Sequence, residues 1–217
     1  TRAPPPHRAP ARPRGAQAAP PPPTTDTSHT ALPRPHPPTP PTPADDHRLL
    51  RTAIRSDDPV LFFQHKRAYE IKGQVPVDEY TLPFGAADIV RQGNDVTVVA
   101  ISIMRHKTMA AAEALAAQGV ECEVIDPRTI YPFDYDTVLA SVEKTGRLVV
   151  VHEANRRSNI GGEIVSQVVE RGFGLLAEPP RIVAGLDVPM PYNRALETLV
   201  IPDEARITEA IRGAVGR

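Results

Sequence analysis

A three-layer α/β fold around a mostly parallel sheet is predicted by three observations. From Asp88 onward, apolar runs of strand length alternate with amphipathic stretches of helix length. The run Leu148-Val149-Val150-Val151 is apolar without alternation, as a strand covered on both faces requires. Two of the helical stretches close on a glycine, Gly119 and Gly146, and the next strand begins almost at once. Such short connections imply right-handed crossovers between parallel strands.

The elements follow in order. Thr42-Pro43-Ala44-Asp45-Asp46 reads as a helix start, with Leu49, Leu50, Ala53 and Ile54 as its apolar stripe and Asp57-Asp58-Pro59 as its end. Val60–Phe63 is expected to be a buried strand, with Gln64-His65-Lys66 at its carboxyl end. Tyr69 to Ala87 carries Gly73, Pro76, Pro83 and Gly85 without a sustained period and reads as a linker. Val96–Ile103 is the first strand of the main domain, His106–Gln118 an alanine-rich helix, and Val120–Ile125 the second strand. Asp126-Pro127-Arg128-Thr129 turns the chain, and Asp134 caps a helix carrying Val138, Leu139 and Val142. The strand Leu148–Val151 gives way to a polar loop, His152 to Asn159. After Gly161-Gly162, Glu163 opens a helix whose apolar face is Ile164, Val165, Val168, Val169 and Phe173. Arg181–Ala184 is the fourth strand and Asp187–Arg194 an extended proline loop. Pro202-Asp203 starts a last helix, with Ile207, Ala210, Ile211 and Ala214 on one side. The expected organisation is a front segment 1–43, a helix-and-strand piece 44–70, a linker 71–87 and an α/β domain 88–217.

Composition divides the 217 residues into two polymers. Residues 1–43 hold 16 of the 26 prolines, and their five Arg against one acidic residue make them about +4; the remainder, with 20 Lys and Arg against 25 Asp and Glu, is −5. The front segment has almost no large apolar side chain to offset an ordering cost of roughly 1–2 kcal/mol per residue. Disorder is expected there, with polyproline II stretches at Pro20–Pro23 and Pro37–Pro43. Linker, basic tail, transit sequence and out-of-frame translation of GC-rich DNA are open readings; the start at Thr1 and the Pro/Ala/Arg/Thr-rich text favour the last. Five scattered Arg without interleaved aromatics give no nucleic-acid interface. No run nears the ~18 apolar residues of a membrane span, and no charged-then-apolar leader occurs, so a soluble cytoplasmic protein with no membrane partner is expected. The single cysteine, Cys122, excludes a disulfide framework and a Cys-based metal site, and between Val120 and Val124 it reads as a buried inert thiol.

In doubly wound sheets, ligands meet the chain just past the carboxyl ends of strands. That places His152 and Glu153 foremost as candidates for an acid/base pair at a subunit seam. Neighbours on a strand point to opposite faces, however, so at most one of them serves a given cleft. Gly161-Gly162 at a helix start could hold an anion on backbone N–H groups; a tight turn needing φ > 0 is the plainer reading. His106, and His65 with Lys66, read as surface or satisfied-core positions, and Asp126 and Arg128 as pinning their loop. No glycine-rich phosphate loop, zinc spacing or G-x-S-x-G elbow occurs. No residue is therefore assigned to a cofactor or a metal, and residue chemistry alone names no activity.

Six pieces carry a resemblance: Pro59–Lys66 (PVLFFQHK), Gly93–Val99 (GNDVTVV), Val124–Thr129 (VIDPRT), Ser141–Glu153 (SVEKTGRLVVVHE), Gly161–Ile164 (GGEI) and Val188–Tyr192 (VPMPY). As a set spread from about Thr42 to Arg217, they resemble the carboxyl-terminal part of the beta subunit of thiamine-diphosphate-dependent 2-oxo acid dehydrogenases. That group includes the pyruvate, branched-chain and acetoin dehydrogenase complexes, with the pyruvate type slightly ahead here. The resemblance implies a transketolase-type carboxyl-terminal domain, preceded in residues 44–70 by a remnant of a pyrimidine-binding domain. It further implies an α2β2 heterotetramer with an alpha subunit, and thiamine diphosphate with magnesium at the alpha–beta junction. Acyl transfer would go to the lipoyl arm of an acyltransferase core that this domain helps to dock. The family's catalytic glutamate has no counterpart in this chain, so no catalytic residue is carried over; His152 and Glu153 match a loop near the subunit interface. Gln64 stands where the family often has Glu, and Asn155-Arg156-Arg157-Ser158-Asn159 is more basic than usual. The chain alone is expected to be inactive. A non-catalytic assembly module, and the carboxyl-terminal domain of a transketolase or deoxyxylulose-phosphate synthase relative, are the alternatives.

Overall fold

A computed structural model describes residues 36–77 and 81–216; the disorder expected for residues 1–35 lies outside the described residues. One sheet has the strand order β1-β3-β2-β4-β5, with β1 at Asp88–Arg91, β2 at Val96–Ala100, β3 at Cys122–Asp126, β4 at Leu148–Asn155 and β5 at Arg181–Gly185. β2 to β5 are parallel, and β1 lies antiparallel on the β3 edge. The helices are α1 (Pro43–Arg55), α2 (Met104–Ala116), α3 (Tyr135–Thr145), α4 (Ile160–Gly172), α5 (Arg194–Val200) and α6 (Glu204–Val215). None of them is long and apolar enough to cross a membrane.

β4 explains why its sequence does not alternate. Val149 and Val151 enter the core that α2 and α6 build with Leu115, Ile207 and Ile211. Leu148 and Val150 enter the opposite core, with Val138 and Val142 of α3 and Ile164 and Val168 of α4. Both faces are dry, so both need apolar side chains. The helices start where side chains satisfy free N–H groups. Thr42 accepts from Asp45 N (3.2 Å) ahead of Pro43, Asp134 from Thr137 N (3.0 Å), Asn159 from Gly162 N (2.9 Å), and Asp203 from Arg206 N (2.8 Å). Gly146 closes α3 in the left-handed region at φ 69°. Buried polar groups are paired across layers: Thr97 Oγ1 lies 2.7 Å from both Ser141 Oγ and Thr145 Oγ1, and buried Glu123 meets Lys144.

The structure corrects several expectations. Order starts before Thr42: Pro37 to Pro41 are buried, Ile130 N donates to Pro37 O (3.0 Å), and Thr39 N donates to Arg128 O (2.8 Å). Val60–Phe63 forms no strand and is not buried. Its Phe63 N donates to Pro38 O (3.1 Å) instead of to a strand. The sheet has five strands rather than four, because Asp88–Arg91, too short for a periodic signal, pairs with β3. β2 stops at Ala100, since Ser102 at φ 54° turns the chain into α2, which begins at Met104. The polar residues His152 to Asn155 continue β4 instead of leaving it, with Asn155 opposite Gly185. α4 begins at Ile160, not Glu163, because Asn159 is its cap. Phe173 lies 73% exposed, outside the apolar face of α4. The proline loop ends at Asn193, which caps an unforeseen short helix, α5.

Leu148, 1% exposed, sits where β4 meets α3 and α4. Leu148→Ala is expected to cost about 2–5 kcal/mol in urea unfolding with an unchanged denaturant slope.

Candidate functional site

The strand order reverses between β2 and β4, which is where a crevice opens in such sheets. The first turn of α2, the loop after β3 and the end of β4 carry the chemistry-bearing residues there, and all three hold residues between Thr39 and His65. After β2, His106 Nε2 donates to Pro41 O (2.9 Å), and Arg105 Nη1 reaches Asp45 Oδ2 (3.4 Å) and Asp126 Oδ2 (3.1 Å). After β3, Arg128 Nε lies 3.1 Å from Asp45 Oδ1, and its Nη2 donates to Asp88 Oδ2 (2.9 Å). At the end of β4, Glu153 Oε1 stands 2.9 Å from His65 Nε2.

Asp45, Asp88, Asp126, Arg105 and Arg128 form one largely buried cluster, with the Asp126 side chain at 0% and that of Asp45 at 5% exposure. Arg128 takes φ 59°, a left-handed conformation costly for a residue with a Cβ. Its backbone is held on both sides, by Asp126 Oδ1 accepting from Arg128 N (3.0 Å) and Arg128 O accepting from Thr39 N. The turn thereby aims the guanidinium at two carboxylates on different segments. Burial lifts the Asp126 carboxyl to about 7, against the Arg105 charge, the Arg128 N–H and the Arg128 charge, while Asp45 pushes it further up. Pinning, the role read for Asp126 and Arg128, is what this geometry does. The partner Asp45 and the lock Arg105 escaped sequence reading; an Asp in the first turn of a helix looks like an ordinary dipole-favoured residue.

His152 and Glu153 part company, as strand geometry requires. His152 shares a face with Leu148 and Val150, is 2% exposed, and leaves both ring nitrogens without a well-formed hydrogen bond. Burial is the main reason its ring is held neutral down to a pKa of about 4. Its Nε2 packs on the first turn of α4: a Cβ placed on Gly161 would lie 2.7 Å from it and 3.0 Å from Asn159 Oδ1. Neither Gly161 nor Gly162 has positive φ, which corrects the tight-turn reading. Glycine stands at 161 because a histidine ring occupies the space. Glu153 faces the α2–α6 side. There His65 Nδ1 accepts from Arg67 N (3.2 Å), which puts the neutral ring's proton on Nε2, aimed at Glu153. Arg67 pairs with Glu197 (2.8 Å), and Lys107 Nζ donates to Pro202 O (2.6 Å). Burial and the Arg67 charge lower the Lys107 pKa. His65 and Arg67 thus join residues 65–67 to the end of β4 and to α5; these groups do not converge on one cleft.

A wide cleft lies elsewhere. About 950 Å³ lies between the β3–α3 connection and the start of α4, lined by Tyr131, Phe133, Tyr135, Arg156, Glu163 and Arg171 among others. Arg171 stacks over the Tyr135 ring at 4.7 Å, and burial with the Glu163 charge pushes the Tyr135 hydroxyl up to about 12. Cys122 is fully buried, and burial raises its thiol to about 11, as an inert core thiol requires. Among the described residues, no group of three or more His, Cys, Asp or Glu side chains is placed to hold a metal ion. The amino end of α4 turns Gly162 N onto Asn159 Oδ1 and Glu163 N onto Asn159 O. These residues do not fit a magnesium-held diphosphate.

The strand order, the two helical layers and residues 85–207 define the class: the chain belongs to the family described as transketolase, C-terminal domain. Over 171 residues it is 47% identical to the acetoin:2,6-dichlorophenolindophenol oxidoreductase subunit beta of Cupriavidus necator, covering 79% of this chain and 51% of that protein. It is 43% identical over 172 residues to the pyruvate dehydrogenase E1 component subunit beta of Rhizobium meliloti (79% and 37% covered). To the 2-oxoisovalerate dehydrogenase subunit beta of Bacillus subtilis it is 39% identical over 173 residues (79% and 53%). The chain thus spans about half the length of most of these relatives. The resemblance to the carboxyl-terminal part of 2-oxo acid dehydrogenase beta subunits, read from six short pieces, is borne out. A solved split gene transketolase, an inactive beta4 tetramer, superposes with a TM-score of 0.73 at 22% identity over 88% of this chain and 61% of that one, a likeness of fold.

Two buried groups titrate with opposite signs. Asp126, raised in the fold, contributes stability that is full below about pH 4 and lost as pH rises through about 7. His152, lowered in the fold, contributes stability present above about pH 6.5 and lost as pH falls to about 4. Urea titrations across that window are expected to show the advantage of wild type over Asp126→Asn shrinking with rising pH, and its advantage over His152→Gln growing. Gly161→Ala is expected to cost about 1–3 kcal/mol. Adding His152→Ala should recover part of that loss, whereas strict additivity in the double-mutant cycle would contradict the packing described.

Proposed function

We propose that this chain is the carboxyl-terminal part of a thiamine-diphosphate-dependent 2-oxo acid dehydrogenase beta subunit, and that it supplies assembly surface rather than reacting groups. The whole enzyme would decarboxylate a 2-oxo acid oxidatively and pass the acyl group to lipoyl. This part would meet an alpha subunit and the lipoyl acyltransferase core. Thiamine diphosphate and magnesium belong to the assembled enzyme on this reading, and their binding groups lie outside these residues. Relatives named for acetoin, pyruvate and 2-oxoisovalerate match at 38–47% identity, which does not single out the 2-oxo acid.

One observation carries the assembly reading. Leu186, Val188 and Tyr192 of the loop after β5, with Leu196 and Leu199 of α5, are all 43% exposed or more, and Tyr192 is wholly exposed. Five large apolar side chains within 14 residues of one connection are what a partner-covered surface needs. The inward residue of α5, Val200, is buried, so the helix is docked and presents its other side.

The test is co-expression of the full chain with the alpha subunit of a matching dehydrogenase. The expected result is a stable complex that Tyr192→Asp with Leu199→Asp weakens at least tenfold without lowering the melting temperature of the isolated chain. Calorimetry on the isolated chain should give no saturable heat with micromolar thiamine diphosphate and magnesium. Micromolar binding, or no complex with any alpha subunit, would overturn the reading.

A further inference from the structure

The sheet ends on one side at β5, and the ladder fixes which β5 groups face outward. Val151 O accepts from Ile101 N (3.0 Å), so Val151 and Val149 turn their peptide groups to the β2 side and Val150 turns to β5. Val150 stands opposite Ile182 in the parallel register. A residue in a parallel ladder bonds to the neighbours of its opposite number, here Arg181 and Val183. Ile182 and Ala184 therefore point their N–H and C=O groups away from β4, along the outer edge, where Ile182 is half-buried and Ala184 is buried.

Both outward carbonyls are taken by arginine. Arg156 Nη1, from the β4–α4 connection, donates to Ile182 O at 2.8 Å. Arg206 Nη2, from the first turn of α6, donates to Ala184 O at 2.6 Å, and its Nη1 reaches Val200 O at 3.4 Å. Two side chains from different elements thus occupy alternate carbonyls, the spacing at which an incoming strand would place its own donors. Just beyond, Leu186 N donates to Val200 O (3.1 Å), closing the carboxyl end of the edge. An edge strand with unpaired peptide groups templates association, and long cationic side chains are a common way to blunt it.

We propose that Arg156 and Arg206 hold the β5 edge closed against strand addition by β5 of a second copy of this chain. A second copy of this chain carries the matching row. Ile182 and Ala184 each present a donor and an acceptor two residues apart, and such a row is its own complement when two copies meet antiparallel across a two-fold axis. The guards are also cheap to keep. Arg156 is exposed and Arg206 half-buried, so each carries its charge in contact with water.

Sedimentation velocity of the full chain tests this. The double variant Arg156→Ala/Arg206→Ala is expected to self-associate at least tenfold more tightly than wild type, with the Ile182 and Ala184 amides gaining protection from hydrogen exchange in the associated form. Arg156→Lys/Arg206→Lys keeps donors and charge and should sediment as wild type. A folded double alanine variant that sediments as wild type at every concentration overturns the proposal. So does association that leaves those two amides unprotected. Should the double variant unfold, Arg156→Ala alone, on its exposed loop, is read the same way, with at least threefold tighter association expected.

Discussion

Asp45 between Arg105 and Arg128 is the contact that sets how residues 36–70 sit on the α/β domain. It lies on α1, while its two partners lie on the first turn of α2 and on the loop after β3. Ion pairs this deep do not stabilise a fold cheaply, because desolvating the charges offsets much of their attraction. What they do is forbid alternatives. With Asp45 removed, Arg105 would keep only Asp126 and Arg128 only Asp88, and nothing would tie α1 to either. The left-handed backbone at Arg128 belongs to the same device. It gives up local preference so that one residue can hold Asp45 and Asp88 with its side chain and Thr39 with its carbonyl.

That constraint decides what the carboxyl end of the sheet can do. In a doubly wound sheet the crevice between β2 and β4 is where a ligand would be sought. Here the loops that rim it are engaged with residues 37–45 and His65, while the linker is tied by Thr52 Oγ1 to Leu82 O (2.7 Å) and by Gly85 N to Thr129 Oγ1 (2.9 Å). The chemistry-bearing residues of the region are spent on joining segments. Glu153 and His65 make one joint, Arg67 and Glu197 a second, and the aspartate–arginine cluster a third. An exposed apolar connection after β5 and a guarded β5 edge then divide the outer surface into a part that invites a partner and a part that refuses one.

Much of the fold was legible because its signals are local. The unbroken apolar run of β4, the glycine ends of α2 and α3, and Asp134 as a cap each act within one turn or strand. Expectations failed where a distant group decided the outcome. His152 to Asn155 look like loop residues, yet β5 runs alongside and keeps them in the ladder. Val60–Phe63 has the composition of a buried strand, but Phe63 N is taken by Pro38 O rather than by a strand. Gly161 was read through its own backbone, whereas the ring of His152 is what requires it. The site was legible only in part for the same reason. Asp126 and Arg128 announced a pinned loop, but nothing near Asp45 or Arg105 in the sequence says that they meet.

The central claim is that residues 36–70 and the α/β domain fold as one cooperative unit through that cluster. Native-state hydrogen exchange on the full chain measures it most directly. The amides of Thr39 and Ile130, which bridge the two parts, are expected to open with the same free energy as the β3 amides in the centre of the sheet. If those two amides instead exchange at rates close to an unstructured peptide while β3 remains protected, residues 36–70 are a loose attachment and the claim is wrong.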